Sequence, residues 1–137
     1  MPAAGLKNAF SAADRKRGSF TQLVKANLLW KLDKKGKEQG QISCPADCAF
    51  LPKGLLVLSE YDNQRLQLFD TEGKSIGIVG AGKINPLGVS VDRAKNTVIS
   101  VCGKEKTVKI FNVDGSMVDS WGHDKFGDPR GVAVSPS

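Results

Sequence analysis

Few residues in this chain have the chemistry to act as nucleophiles, proton carriers or metal ligands. The sequence holds three cysteines, Cys44, Cys48 and Cys102, and a single histidine, His123. A zinc site draws four nitrogen or sulfur ligands from recurring short spacings. Here Cys44-x3-Cys48 has no second pair and His123 stands far along the chain, so no metal site is expected. One histidine also leaves no basis for a His-based triad, and His123, following Trp121-Gly122, reads as a surface loop residue. Asp70, Asp92 and Asp114 fall at strand ends and turns, where aspartate caps its own backbone. Gly80-Ala81-Gly82-Lys83 opens no helix and so lacks the context of a phosphate loop. The expectation is a non-enzymatic chain with no catalytic residue, metal or cofactor.

The remaining polar residues must act through placement, so the elements that place them matter. The chain has 137 residues, 40% of them hydrophobic and 25% charged, which suits one soluble globular domain. Two segments repeat. Pro45–Gly80 aligns with Pro86–Gly122, Phe69-Asp70 mapping onto Phe111-Asn112, Gly73 onto Gly115 and Gly80 onto Gly122, each at an offset of 42. A third unit opens at Pro129 with Pro-Arg-Gly-Val-Ala-Val-Ser. Within each unit short runs alternate with period two: Ala49 and Leu51, Leu56 and Leu58, Leu66 and Leu68, Ile76 and Ile78, then Val89 and Val91, Val98 and Ser100, Val108 and Ile110, Met117 and Val118. Asp70-Thr71-Glu72-Gly73 and Asn112-Val113-Asp114-Gly115 read as hairpin turns. Four strands in a repeat of this length are the pattern of a propeller blade. A β-sandwich with accidental self-similarity is the alternative.

The wording of the repeat carries a family resemblance. Pro-x-Gly-Val-x-Val-Asp (86–92), a β-branched strand, Asn-Gln-Arg-Leu-Gln-Leu-Phe-Asp (63–70) and Gly-Lys (73–74) resemble the NHL repeat, and Pro-Arg-Gly-Val-Ala-Val (129–134) repeats its opening. The likeness covers about residues 45–135. Gly-Lys-Glu-Lys (103–106) departs from the usual Asn and Arg, and Ala46-Asp47-Cys48 stands where the second unit has Leu-Gly-Val. The resemblance implies an all-β, NHL-type partial β-propeller of about three four-stranded antiparallel blades, an incomplete ring where such propellers close with about six. It is similar to the NHL region of TRIM-NHL proteins, so a fragment or short product of such a protein is one expectation. The RING, B-box and coiled-coil parts of those ubiquitin ligases have no counterpart in this sequence. Ligase activity would then lie in absent domains, with this chain a structural piece.

Upstream of the repeats, residues 1–17 have no periodic pattern and read as a flexible basic arm. Residues 18–44 split into strands SFTQLV, NLLWKLD and EQGQIS, the last three strands (b, c, d) of a degenerate blade. The rival reading is an amphipathic helix with Phe20, Leu23, Val24 and Leu28 at helical spacing. The echo of Gly73-Lys74 in Gly36-Lys37 favours strands. Blades are then expected at 45–80 and 86–122, and the first strand of a truncated blade at 129–137. An open ring leaves a bare blade face. One resolution is a head-to-tail homodimer completing a six-bladed ring, each terminal strand filling the partner's three-stranded blade.

Charge points to the binding surfaces. The net charge of +6 sits wholly in residues 1–41, with nine basic and three acidic residues, against eleven of each in residues 42–137. Arg15, Lys16, Arg17, Lys34, Lys35 and Lys37 form a basic arm able to meet nucleic acid or an anionic surface. In an up-and-down blade the b–c and d–a loops share one rim. That rim collects Tyr61, Asn63, Arg65, Lys83, Asn85, Lys104, Lys106, Lys125, Phe126 and Arg130 as candidate partner- or RNA-binding residues. Protein partners are the first expectation. Single-stranded RNA is the second, since cations with aromatic or amide neighbours hold phosphates and stack bases, and the rim resembles the RNA-binding face of some TRIM-NHL propellers. No run of about 18 apolar residues exists to span a membrane. An odd cysteine count without an export signal implies reduced thiols and a cytoplasmic or nuclear location.

Overall fold

The computed structural model describes residues 28–123 and 125–136. The chain divides into two units, Met1–Lys31 and Leu32–Ser137. Of the first, only residues 28–31 are described, and they have no regular secondary structure. The second carries eight strands: β1 (Pro45–Phe50), β2 (Leu56–Glu60), β3 (Arg65–Phe69), β4 (Ser75–Val79), β5 (Pro86–Asp92), β6 (Thr97–Cys102), β7 (Thr107–Asn112) and β8 (Met117–Trp121). They form two antiparallel meander sheets, β1-β2-β3-β4 and β5-β6-β7-β8. Two complete blades of a partial β-propeller are therefore present, at the positions that the repeat predicts.

The turns form for the reasons their residues supply. The Asp70 carboxylate accepts hydrogen bonds from the Glu72 and Lys74 amides, and Asp114 accepts from the amide and hydroxyl of Ser116. These bonds hold the Asp70 carboxyl below the usual carboxylate range, and those from Ser116 do the same for Asp114. Both aspartates are turn-builders, consistent with the sequence.

The two blades pack face to face. Strand alternation places Val57, Leu66, Leu68 and Val79 on one face of the first blade and Val89, Val98, Cys102 and Phe111 on the facing side of the second. Leu51 and Ile84 close this core at its two ends. Each such side chain, fully buried, contributes about 1.5–3 kcal/mol relative to exposure. Polar bonds fix the stacking register. Ser59 Oγ donates to the Leu87 carbonyl at 2.6 Å and lies 3.2 Å from the Asp47 carbonyl, Asp47 Oδ2 accepts from the Val89 amide at 3.0 Å, and Arg93 donates to the Phe50 carbonyl. Both inner strands bulge here, between Pro45 and Asp47 and between Pro86 and Val89, and the bulges turn carbonyls toward Ser59.

Two expectations are corrected. Residues 28–44 contain neither the second and third strands of a degenerate blade nor a helix. They have one isolated parallel bridge, Lys35 to Ile42. The carbonyls of Gly36, Lys37, Glu38 and Gln41 and the amides of Gly40 and Ser43 bond side chains of the first blade, while the amides of Gly36, Gln41 and Ile42 bond carbonyls within residues 34–42. The remaining residues of the proposed helix or first strand, 18–27, and the arm 1–17 lie outside the described residues. Residues 129–136 likewise form no strand, because no described segment pairs with them. They run beside the second blade, Arg130 and Gly131 passing directly over Gly88.

That close approach makes Gly88 sensitive. A Cβ there would overlap the Arg130 carbonyl oxygen and stand 3.0 Å from the Gly131 Cα, and backbone cannot step aside as a flexible side chain can. Gly88→Ala is expected to lower stability by about 1–3 kcal/mol, as overpacking does. Gly131→Ala, which meets nothing within 4 Å, should change it by less than about 0.5 kcal/mol. Urea denaturation of the two variants checks both.

Candidate interaction rim

The candidate rim is assembled by a buried polar cluster rather than by free loop cations. Glu60 ends β2 and Arg65 opens β3, directly opposite it across the four-residue b–c turn. Their side chains are 0% and 6% exposed, with Arg65 Nε 2.7 Å from Glu60 Oε2. A buried ion pair needs its remaining donors and acceptors met, and the segment 36–43 meets them. Arg65 Nη1 donates to the Lys37 carbonyl at 2.7 Å, and Nη2 donates to the carbonyls of Gln41 at 2.8 Å and Glu38 at 3.2 Å. Glu60 Oε1 accepts from the Ser43 amide and from Asn63 Nδ2. Gln67, also buried, donates to Glu60 Oε2 and to the Gln41 carbonyl, and accepts from the Gly40 amide at 2.7 Å. Asn63 reaches the Gly36 carbonyl at 2.9 Å. Gly40 has φ 88, the left-handed region that glycine enters freely, so its amide can turn toward Gln67.

Neighbouring loops continue the rim. The Gly82 amide donates to the Gln64 carbonyl. Asn85, buried, staples three segments: Nδ2 donates to the Tyr61 carbonyl, its amide to Glu105 Oε2 at 3.4 Å, and its carbonyl accepts from the Gly103 amide. Segments 36–43, 61–64, 80–85 and 103–106 are thus linked edge to edge.

The predicted residues separate into two groups. Arg65 and Asn85 are buried and committed to the fold, which corrects their reading as ligand-binding loop residues. Tyr61 and Asn63 are half-buried. Lys83, Lys104 and Lys106 are exposed, and of the lysines read as part of a separate arm Lys37 is exposed on the docked segment of this same rim, with Lys34 and Lys35, also exposed, directly before it. Arg15, Lys16 and Arg17 lie outside the described residues. On the loop after β8, His123, Lys125 and Arg130 are exposed; Arg130 pairs with Asp128 at 3.1 Å, and half-buried Phe126 lies 6.1 Å from Trp121, ring centre to ring centre. Glu60, Gln67 and Gln41 were missed. A charged residue on each side of a short b–c turn, at positions that must face one another, is the signal that marks the first of them.

In the second blade the positions 42 residues on from Glu60, Arg65 and Gln67 are Cys102, Thr107 and Lys109. Burial pushes the Cys102 thiol up to about 12. Cys44 and Cys48 are exposed. Among the described residues no group of three His, Cys, Asp or Glu is placed to hold a metal ion, and no helix is long and apolar enough to cross a membrane.

Two outcomes are expected. Arg65→Ala leaves a buried carboxylate unpaired and should cost about 3–5 kcal/mol in denaturant unfolding, a scale at which the fold itself is at risk. A thiol reagent applied to the native protein at neutral pH should modify Cys44 and Cys48 and reach Cys102 only after denaturation, because a thiol raised to about 12 carries almost no thiolate there. Mass spectrometry of labelled peptides distinguishes the three.

No family model and no curated protein matches the sequence. Among solved structures the chain is similar to Kuenenia stuttgartiensis hydrazine synthase, with 18% sequence identity and a TM-score of 0.60 over 80% of this chain and 30% of that one. The chain thus spans under a third of the length of the protein it matches. At this identity the likeness shows the fold alone, a segment of a β-propeller.

Proposed function

We propose that this chain is a non-enzymatic, NHL-type propeller interaction module that binds protein partners through the rim of its b–c and d–a loops. The observation that supports this is the rim's construction: Glu60, Arg65, Gln67 and Asn85 are buried to lock four loops together, while Lys34, Lys35, Lys37, Lys83, Lys104 and Lys106 remain exposed. A rigid scaffold carrying exposed loop residues is the usual build of a binding surface. Single-stranded RNA is the rival ligand, favoured by the same lysines. A head-to-tail pairing of two copies finds less support, because the strands that residues 28–44 would contribute to a shared blade are not formed.

The test compares the tagged full chain with two variants in quantitative cross-linking and pull-down. One carries Tyr61→Ala, Lys83→Ala and Lys104→Ala on the rim; the other carries Lys53→Ala, Lys74→Ala and Lys95→Ala on the opposite rim. Specific protein partners should fall by roughly tenfold or more with the first variant alone, the loss that about 1.4 kcal/mol of contact energy produces. A partner set indifferent to the rim variant overturns the reading.

A further inference from the structure

The two rims of the blade pair differ in charge. Segments 34–41, 61–64, 80–85 and 103–106 carry six lysines, Lys34, Lys35, Lys37, Lys83, Lys104 and Lys106, against Glu38, Asp62 and Glu105. All six lysines are exposed, and Glu105 is partly used in accepting from the Asn85 amide. The opposite rim, formed by the a–b and c–d loops, carries Lys53, Lys74, Arg93 and Lys95 against Asp70, Glu72, Asp92 and Asp114, and is neutral. The asymmetry depends on the docked segment. Arg65, Gln67 and Asn63 hold it by main-chain atoms, so Lys34, Lys35 and Lys37 join Lys83 and the Lys104–Lys106 turn in one continuous band.

Resting on the interaction-module reading, we propose that this band binds an acidic polypeptide segment, a run of aspartate and glutamate side chains in extended conformation. Lysine ammonium groups are mobile point charges that meet carboxylates without demanding one geometry. Several on one surface steer an acidic chain toward it at ranges up to about 8 Å in physiological salt. The features that favour nucleic acid are missing from the band. Base stacking needs exposed aromatic faces. Of the rim's aromatic residues, Tyr61 is half-buried, its Cε2 3.6 Å from where a Cβ on Gly103 would stand, and Phe126, also half-buried, lies 6.1 Å from Trp121 on the loop after β8, outside the lysine band. Planar, bidentate phosphate recognition favours arginine. Of the rim's arginines, Arg65 is buried and bound to Glu60 and the main chain, and Arg130 is paired with Asp128 at 3.1 Å.

Fluorescence anisotropy with a labelled oligoglutamate peptide tests this, with an oligouridylate of equal length as competitor and comparison. The full chain should bind the peptide at low salt and release it as salt rises. Lys35→Glu/Lys83→Glu/Lys104→Glu should weaken binding by roughly tenfold or more, while Lys53→Glu/Lys74→Glu/Lys95→Glu, an equal change of net charge on the opposite rim, should leave it within about twofold. Circular dichroism melts of both variants confirm that they fold. No binding at low salt, equal loss in the two variants, or oligouridylate binding tighter than the peptide would each overturn the proposal. If the peptide fails while pull-down partners still depend on the rim, the module reading stands and the acidic partner class falls.

Discussion

The ion pair between Glu60 and Arg65 governs how this molecule is put together. Both groups are out of water, where a lone charge is costly, and each compensates the charge of the other. Together they are still incomplete, since a guanidinium has five N–H donors and a carboxylate accepts several hydrogen bonds. The unmet capacity is filled by the main chain of residues 36–43, with Gln67 and Asn63 completing the set. A hydrophobic patch of the same size could hold a loop in many poses; a polar site with every partner specified accepts one. The pair thus acts on conformation more than on net stability, in line with the near balance of desolvation and attraction in buried ion pairs.

The same logic separates the two blades, although their backbones repeat. The second blade answers the Glu60–Arg65–Gln67 set with Cys102, Thr107 and Lys109. It receives the loop 80–85 through Ile84 in the shared core and through Asn85, whose amide donates to Glu105 and whose carbonyl accepts from the Gly103 amide, with no buried ion pair at the matching positions. One blade is set against its upstream neighbour by polar recognition of a loop, the other mainly by side-chain packing between sheets. Shared strand order therefore does not mean shared stacking chemistry.

The sequence shows the blades because strand period and turn chemistry are local. The 42-residue offset, the Asp-turn positions and the hairpin strands could all be read from short windows. Burial on both faces could not. All residues of β2 and β3 are buried, so Val57 and Ser59 matter as much as the alternating Leu56 and Leu58. Residues 28–44 misled for a related reason. The Gly36-Lys37 echo is a genuine local likeness, but what decides the structure of 36–43 is a set of side chains more than twenty residues away. For the rim, the exposed lysines were legible as loop residues. The commitment of Arg65 and Asn85 to the scaffold was not, because a loop arginine and a buried one look alike until the pairing register puts Glu60 opposite.

The docked segment is gripped by its peptide groups, while the side chains of Lys37, Glu38 and Gln39 project into solvent. Recognition of that kind is indifferent to the identity of the residues recognised, apart from the glycine whose backbone angles it requires. Substitutions at these positions can alter the charge and shape of the rim without disturbing the grip. The constraint that fixes the loop's path therefore leaves its outward chemistry open to drift, so a lineage could change what this surface binds while keeping the propeller beneath it unchanged.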